Sequence, residues 1–231
     1  RQGDTRQYRS ITSGIEPPAA LRRRADVNRI FCIGRNYAEH ASELGNAVPA
    51  SPVVFMKPAS ALLEAGSSVP FPTHGHDLQH EVEIVVRVAR AGRDIDEQKA
   101  MDYLDAVTVG IDLTLRDIQS ALKSGGLPWE PAKAFDGSAP IGKFKTLDQA
   151  PDLASLSFSC TVNGEIRQQG DTADMIFPIP VLVAHLSGIW TLQPGDLIFT
   201  GTPAGVDSLR PGDLLMASAQ GVGEFQWRIT D

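Results

Sequence analysis

The chain has 231 residues, 42% of them hydrophobic and 21% charged, as in a folded globular protein rather than a disordered or fibrous one. Its formal net charge is −7, and it shows no basic stripe of the kind that neutralises nucleic-acid phosphates. We therefore expect no nucleic-acid partner, and an anionic substrate would have to be held by a few local cations or by a metal ion.

Two features of the sequence indicate the cellular location of the protein. The longest nearly apolar stretch, 176–190, contains His185 and two prolines and is shorter than the roughly 18 to 20 apolar residues of a membrane span, so it predicts a buried helix and no membrane partner. Cys32 and Cys160 lie in apolar, strand-like surroundings that suit reduced thiols better than a disulfide framework. With no secretory pattern at the start of the chain, these features predict a cytoplasmic protein.

In chain order, residues 1–28 are polar and predict an arm or small subregion, followed by one main domain over 29–231. Asn163-Gly164, between two strand-like segments, predicts a tight hairpin. The fold class is mainly β with some α (α+β). Short β-branched or aromatic segments predict strands at 29–34, 53–57, 81–88, 106–113, 155–162, 197–200, 213–218 and 224–230, and helical patterns occur at 36–44, 96–104, 114–123 and 179–190.

Two carboxylates share one face of the strand predicted at 81–88. The strand period of two places Glu81 and Glu83 on one side and Val82 and Ile84 on the other. Two carboxylates on one face can converge on a single cation. The same pattern also fits an edge strand with a solvated acidic face, which is the commoner arrangement when the pair is considered alone.

A third acidic residue, Asp112, follows the apolar strand predicted at 106–113, where it could be a metal ligand or a helix cap. Carboxylate oxygens are the ligands that Mg²⁺ and Mn²⁺ prefer. Zinc is disfavoured, because the residue four positions after His80 is Ile84 and the chain has no paired-cysteine motif.

Further ordered blocks surround these acids, and together they identify a resemblance. With the Glu-x-Glu pair and the later Asp, the chain resembles the fumarylacetoacetate hydrolase family, in its smaller acylpyruvase and oxaloacetate-handling branch, from about residue 30 to the C-terminus. The blocks are GRNYAEH at 34–40, FMKP at 55–58, DLTLRD at 112–117, LPW at 127–129, AKAFD at 132–136, VNGE at 162–165, DMI at 174–176 and TGTP at 200–203.

The resemblance implies an ion site and a base. Glu81, Glu83 and Asp112 would be the ligands of Mg²⁺, or of Mn²⁺ in its place. His40 and Glu43, three residues apart, would form a general-base dyad on a lid-like segment. Without the resemblance, that spacing is more often an exposed pair on a helix surface.

The resemblance also implies how a small anionic 2-oxo acid would be bound. Lys133 would reach into the site as a catalytic group, although a solvated loop lysine is the commoner role for such a residue considered alone. Arginine suits carboxylates because its guanidinium can bind both oxygens at once. The substrate-binding candidates are Arg35, Arg116, Gln119 and Thr202.

Taken together, the resemblance predicts a catalytic domain over 29–231 with a mixed β-roll or sandwich body and peripheral helices, usually as a homodimer. The favoured reaction is Mg²⁺-dependent hydrolysis of a C–C bond in an acylpyruvate such as acetylpyruvate or fumarylpyruvate, giving pyruvate and a carboxylic acid. Oxaloacetate decarboxylation or keto-enol tautomerisation is the alternative. A more distant alternative is a non-catalytic module whose carboxylates hold a structural cation.

Overall fold

The computed structural model describes residues 27–43, 45 and 47–231, so the arm predicted at 1–28 lies outside the described residues except for its last two positions. Strands dominate, as predicted. The strands are β1 (Arg29–Gly34), β2 (Val53–Pro58), β3 (Leu62–Glu64), β4 (Ser68–Pro70), β5 (Leu78–Gln79), β6 (Val82–Val88), β7 (Leu104–Ile111), β8 (Thr114–Leu115), β9 (Ala139–Ile141), β10 (Lys145–Thr146), β11 (Ser157–Val162), β12 (Glu165–Asp171), β13 (Leu197–Phe199), β14 (Leu214–Ala219) and β15 (Gly223–Thr230).

The strands form two large sheets and one small one in the described part of the chain. The first sheet has the order β2-β1-β13-β6-β7-β9-β3, with β10 also paired to β7. The second has the order β12-β11-β14-β15-β4, and β5 pairs with β8 in a two-stranded sheet. Most pairs are antiparallel, but β1 with β13, β3 with β9 and β4 with β15 are parallel. The sheet is therefore mixed, as expected from the resemblance.

The helices lie around these sheets and are fewer than the strands. The α-helices are α1 (Ala38–Glu43), α2 (Arg116–Ser124), α3 (Glu130–Lys133) and α4 (Ile179–Ile189), and 3-10 helices occur at Ala59–Ala61, Glu97–Tyr103 and Thr172–Asp174.

Strand β6 runs through the middle of the first sheet, between β13 and β7, and all of its residues are buried. Val82, Ile84 and Val86 pack into the larger hydrophobic core, whereas Val85 on the opposite face packs into a smaller one. The face that carries Glu83 is therefore enclosed by protein. A carboxylate placed there is withdrawn from bulk water.

Helix α4 is the buried helix predicted from the apolar stretch. Its buried residues Ile179, Leu182, Val183 and Leu186 follow helical spacing, and they turn one side towards the core and the 3-10 helix Glu97–Tyr103. In the described part of the chain, no helix is long and apolar enough to span a membrane.

Two segments that were predicted as helices differ from the prediction. One is a 3-10 helix, and the other begins later in the chain. The segment 96–104 is a 3-10 helix, and Asp96 accepts a hydrogen bond from Gln98 N at its start. Helix α2 begins at Arg116 rather than at 114, because Thr114 and Leu115 pair with β5 as strand β8. Tertiary pairing thus overrides the local helical pattern.

The hairpin predicted at Asn163-Gly164 is confirmed. Asn163 has φ 54° and Gly164 has φ 84°, and these two residues join β11 to β12. Two consecutive left-handed residues are what a tight two-residue hairpin turn requires, and Asn and Gly tolerate that conformation best.

Candidate active site

Three acidic side chains converge because neighbouring strands bring them together. Glu81 immediately precedes β6, Glu83 lies within it, and Asp112 follows β7, the antiparallel neighbour of β6. The amide of Asp112 donates to Glu81 O at 2.8 Å, which fixes the register at this end of the two strands. One carboxylate oxygen from each residue lies within 4.8 Å of the other two, and all three residues are buried. This cluster is called the acidic triad below.

The two alternative interpretations of these acids are wrong. β6 is not an edge strand with a solvated acidic face, since it is central in its sheet and Glu83 is only 1% exposed. Asp112 is not a helix cap, because α2 starts at Arg116 with Leu115 as its preceding residue. Both acids are instead directed into an enclosed cluster.

Buried cations compensate the charge of the acidic triad. Lys133 Nζ lies 2.7 Å from Glu81 Oε2 and 2.8 Å from Asp112 Oδ2, and Arg116 donates to Glu81 Oε1. Lys133 is 3% exposed at the end of α3, so the interpretation as a solvated loop lysine is wrong. A buried carboxylate cluster needs such partners, because unpaired charges are costly in a low-dielectric interior.

Lys57 is a third buried cation, and no role was predicted for it. Its ammonium donates to Leu113 O at 3.2 Å, to Ser138 O at 2.8 Å and to Lys133 O. Because those three carbonyls account for its three hydrogens, its 2.8 Å approach to Asp112 Oδ1 is an electrostatic contact without a hydrogen bond. The FMKP block was the only sequence signal for it.

The triad fits a divalent ion. Among the described residues, Asp112 Oδ1 is buried and accepts no hydrogen bond, although the Lys57 ammonium lies 2.8 Å from it, so this oxygen could be a ligand of a cation. Glu83 Oε2 accepts from Gly201 N at 2.8 Å, which orients that carboxylate. Three buried carboxylates supply the hard oxygen ligands that Mg²⁺ and Mn²⁺ prefer.

The pKa values of the two glutamates in the triad are shifted in opposite directions. Burial, together with the negative charges of Asp112 and Glu81, raises the pKa of Glu83 well above its usual value. Burial also raises the pKa of Glu81, but Lys133 and Arg116 outweigh it and hold that pKa well below the ordinary range. For Lys133, Asp112 and Glu81 outweigh burial, so its pKa is raised and it stays charged.

Binding of Mn²⁺ or Mg²⁺ is expected to release a proton, because an ion must displace the proton that Glu83 holds below its raised pKa. Metal affinity should therefore increase as pH rises and level off above the pKa of Glu83. Calorimetric titration in two buffers with different ionisation enthalpies measures the proton count. Identical heats in both buffers at every pH from neutral down to the ordinary pKa of glutamate would contradict this prediction.

The predicted dyad is assembled by the fold. His40 Nδ1 lies 3.2 Å from Glu43 Oε2 within α1, and Glu43 Oε1 also accepts from Gly205 N at 3.1 Å. His40 is only 4% exposed. The interpretation of an exposed surface pair is therefore wrong for the histidine, whose ring is enclosed while Glu43 anchors it to the loop after β13.

One cavity joins the dyad to the triad. The cavity is small, about 50 Å³, and it brings together the predicted residues except Glu43, which contacts it through His40. Phe55, Lys123 and Trp129 also line it and were not assigned a role from the sequence. The lining consists of Ile33, Gly34, Arg35, His40, Phe55, Glu81, Glu83, Asp112, Arg116, Gln119, Lys123, Trp129, Lys133 and Thr202.

Arg116 and Gln119 contact each other on α2, as their spacing of three indicates. Arg116 Nη1 donates to Gln119 Oε1 at 2.5 Å, and its Nε donates to Gln79 Oε1 at 2.8 Å. With its remaining nitrogen on Glu81, the guanidinium is held against the acidic triad. Arg116 therefore positions both a triad carboxylate and the amide of Gln119.

Gln168 on β12 supports the site from the second sheet. Its Oε1 accepts from Val82 N at 3.0 Å and from His80 Nδ1 at 2.8 Å, and its Nε2 donates to Thr202 Oγ1 at 2.8 Å. Burial lowers the pKa of His80, which favours the neutral ring. This buried amide connects the strand of the triad to the TGTP turn at 200–203.

Replacing Gln168 with Leu is expected to destabilise the protein by about 3 kcal/mol, because buried backbone and imidazole groups would lose their partners. The nearby exposed Gln169→Leu is the matched control and should change stability little. Urea unfolding followed by circular dichroism measures both. Equal midpoints for the two variants would show that the Gln168 network contributes nothing.

Comparisons with known proteins identify the family of the chain. Residues 29–230 match the family described as "Fumarylacetoacetate (FAA) hydrolase C-terminal". The chain is 43% identical over 201 residues to "Oxaloacetate tautomerase FAHD1, mitochondrial" of Arabidopsis thaliana, covering 87% of this chain and 90% of that protein. It is 45% identical over 179 residues to "Oxaloacetate decarboxylase, mitochondrial" of Dictyostelium discoideum, covering 77% and 82% respectively.

A solved structure is similar over the same region. It is the fumarylpyruvate hydrolase of Pseudomonas aeruginosa in complex with Mn²⁺ and pyruvate, with TM-score 0.85 and 37% identity over 88% of this chain and 90% of that one. This similarity supports the fold class predicted above. It also supports a divalent cation as cofactor, for which the acidic triad has suitable ligands.

The prediction of a cytoplasmic location is contradicted, since the relatives from Arabidopsis thaliana, Dictyostelium discoideum and Bos taurus are named as mitochondrial proteins. The physical reason is that buried, reduced Cys32 and Cys160 indicate only the absence of disulfides, and reduced thiols do not distinguish one intracellular compartment from another. From the matched residues 29–230 and these relatives, the chain belongs to the fumarylacetoacetate hydrolase family of enzymes.

Proposed function

We propose that the protein hydrolyses a C–C bond in an acylpyruvate, giving pyruvate and a carboxylic acid. The observation that carries this proposal is the enclosed His40–Glu43 pair facing the same cavity as the acidic triad. A pure cation-binding module would have no use for a histidine held in this way. The alternative of a non-catalytic module is excluded by membership in a family of enzymes.

A divalent ion held by Glu81, Glu83 and Asp112 would polarise the 2-oxo group and stabilise the negative charge that develops there. We propose Mg²⁺ as the resident ion, with Mn²⁺ able to replace it. Arg116 keeps Glu81 oriented, and Gly201 N does the same for Glu83, so the ligands need little rearrangement during catalysis.

The residues of the chain supply the rest of the hydrolysis. His40, oriented by Glu43, removes a proton from water, and the oxygen adds to the distal carbonyl carbon of the substrate. Lys133 and Gln119 stabilise the oxyanion formed at that carbonyl. The bond between this carbon and the methylene then breaks, its electron pair stays with the pyruvate fragment, and the proton held by His40 returns to that fragment.

Oxaloacetate tautomerisation or decarboxylation is the second candidate. The relatives that are 43% and 45% identical to this chain are named for those two activities, whereas the similar hydrolase structure is 37% identical. Neither reaction adds water to the substrate. The same cavity would serve them without hydroxide attack, with His40 moving a proton to or from a substrate carbon in tautomerisation instead of activating water.

Incubating the purified protein and Mg²⁺ with acetylpyruvate, fumarylpyruvate and oxaloacetate tests the proposal. Loss of the diketone absorbance, release of CO₂ and conversion of enol to keto form are followed separately. Hydrolysis of either diketo acid supports the proposal. If only oxaloacetate responds, the hydrolase proposal is wrong and the second candidate replaces it.

We also propose that the protein is a homodimer. Light scattering of the purified protein at micromolar concentration measures its mass directly. A monomeric mass would refute this part of the proposal and leave the proposed chemistry unaffected.

A further inference from the structure

Gln79 contacts the active site through Arg116 and has no part in the chemistry proposed above. It lies in the short strand β5, whose partner β8 leads directly into helix α2. Its Oε1 accepts from Arg116 Nε at 2.8 Å, and its Nε2 donates to the two carboxylate oxygens of Asp77 at 3.2 Å and 3.3 Å. Gln79 therefore connects Asp77 to the arginine that holds Glu81.

The hydrogen-bonding capacities of its neighbours fix the orientation of the Gln79 amide. An ionised carboxylate only accepts hydrogen bonds, so the NH₂ group of Gln79 must face Asp77. A guanidinium only donates, so the amide oxygen must face Arg116. The reverse orientation would place donor against donor and acceptor against acceptor. The amide thus has one favourable orientation, and in that orientation it gives Arg116 Nε an acceptor.

Asp77 is itself held by two segments that are far from it in sequence. Ser208, in the loop between β13 and β14, donates from Oγ to Asp77 Oδ1 at 2.6 Å. The backbone amide of Arg116, at the start of α2, donates to Asp77 O at 2.8 Å. The pair formed by Asp77 and Gln79 therefore contacts Arg116 at both its backbone and its side chain.

The three nitrogens of the Arg116 guanidinium each have a partner. Nε donates to Gln79, Nη1 donates to Gln119 Oε1 at 2.5 Å, and Nη2 donates to Glu81. Because the guanidinium is planar, fixing Nε restricts where the other two nitrogens can lie. The contact with Gln119 also turns the NH₂ group of that amide away from Arg116, as its proposed role as a donor to the oxyanion requires.

We propose that Gln79 is a positioning residue which, through Arg116, orients the metal ligand Glu81 and the oxyanion donor Gln119. This inference rests on the proposed function, because it assigns a common support to two residues of that site. Without Gln79, the Arg116 side chain could rotate and approach the carboxylate of Asp77 directly. The divalent ion would then be bound more weakly, since groups that orient metal ligands contribute about 10- to 100-fold to metal affinity or activity.

Calorimetric measurement of Mn²⁺ affinity tests this role without turnover. Gln79→Met keeps the length of the side chain but removes both amide hydrogen bonds. It should raise the Kd for Mn²⁺ about tenfold, at the lower end of the range because Gln79 acts through Arg116. Gln98→Met, at an exposed position on the 3-10 helix Glu97–Tyr103, is the matched control and should leave the Kd unchanged. Thermal unfolding verifies that each variant is folded.

A double substitution exchanges donor and acceptor between positions 77 and 79. Gln79→Glu alone places two carboxylates against each other and should weaken Mn²⁺ binding. In the Asp77→Asn/Gln79→Glu variant, the amide introduced at position 77 can donate to the carboxylate introduced at position 79, which still accepts from Arg116 Nε. The double variant should therefore recover most of the Mn²⁺ affinity that the single variant loses.

Kinetics provides the second readout. At saturating Mn²⁺, kcat for the diketo acids should fall about tenfold in Gln79→Met with little change in KM. The reason is that Gln119 stabilises an oxyanion that exists in the transition state and not in the bound substrate. A side chain that only stabilised the fold would lower the Tm and leave both kcat and the Mn²⁺ Kd of the folded protein unchanged.

The two proposals fail in different ways. An unchanged Mn²⁺ Kd in folded Gln79→Met, or a double variant that binds Mn²⁺ no better than Gln79→Glu, would overturn the positioning role while any hydrolysis by the wild-type protein persists. Weaker Mn²⁺ binding in Gln79→Met, with no hydrolysis by the wild-type protein, would instead overturn the hydrolase proposal and leave the positioning role in place. A wild-type protein that does not bind Mn²⁺ would overturn both.

Discussion

Glu83→Gln is expected to abolish activity towards every 2-oxo acid, by on the order of 10³-fold or more, equivalent to about 4 kcal/mol of transition-state stabilisation. The amide has nearly the same shape as the carboxylate but no negative charge, so one of three anionic ligands is lost. Its oxygen can still accept from Gly201 N, so the local backbone should hold. Steady-state assays with Mg²⁺ on all three substrates measure the loss.

The same variant, although inactive, should be as stable as the wild type or more stable when unfolding is measured without metal. The raised pKa of Glu83 means that its contribution to stability is present at low pH and is lost as pH rises through its folded-state pKa. Glutamine does not titrate. Metal-free Glu83→Gln should therefore unfold at the same or a higher temperature than the wild type at alkaline pH, with the difference vanishing below the ordinary pKa of glutamate.

The exposed Glu97→Gln serves as the control for both measurements and should change neither activity nor the pH dependence of the Tm. Retention of activity in Glu83→Gln, with Mn²⁺ binding intact, would show that the triad does not hold the catalytic ion. A large loss of metal-free stability would instead show that the carboxylate serves mainly to stabilise the fold.

His40→Ala is expected to reduce acylpyruvate hydrolysis by about 10²- to 10⁴-fold, the usual contribution of a general base. Decarboxylation of oxaloacetate, which forms the enolate by loss of CO₂ and needs neither attacking water nor removal of a proton from carbon, should fall by less than about tenfold. Glu43→Gln should have a smaller effect in the same direction, because it removes only the negative charge that orients and stabilises the imidazolium. Parallel assays of hydrolysis and decarboxylation compare the two reactions in each variant.

His40→Gln distinguishes a lost base from a lost side-chain contact. Glutamine fills most of the space of His40 and can still donate to Glu43, but it cannot accept a proton near neutral pH. It should therefore be as slow in hydrolysis as His40→Ala. Equal losses in hydrolysis and decarboxylation would contradict the proposed role of His40 as the base for water, and full hydrolysis in His40→Gln would exclude the histidine as that base.

The local features of the fold were predictable because their causes are local. The strands at 29–34 and 224–230 follow from runs of β-branched and aromatic residues, and the Asn163-Gly164 turn follows from the conformations that those two residues tolerate. The 3-10 winding of Glu97–Tyr103 and the strand pairing of Thr114–Leu115 were not predictable, since each depends on partners distant in the sequence.

The candidate site also contains residues that the sequence identified and residues that only the structure identified. The resemblance, carried by short blocks of sequence, identified the acidic triad, the dyad and Lys133. It did not identify Gln168 or Gln79, because nothing in their neighbouring sequence distinguishes them from ordinary polar residues. Their importance comes from position: Gln168 reaches the first sheet from the second, and Gln79 contacts Arg116 from β5.

The sequence by itself therefore determined the strand-rich class and the hairpin and supplied the candidate site residues, since side-chain type and spacing are local properties. Only the tertiary structure decided whether those acids face water or one another. The antiparallel pairing of β6 with β7 brings Asp112 to Glu81, and the surrounding strands enclose both, with Lys57 and Lys133 as counter-charges. Such convergence depends on contacts between segments far apart in the chain, which no local pattern encodes.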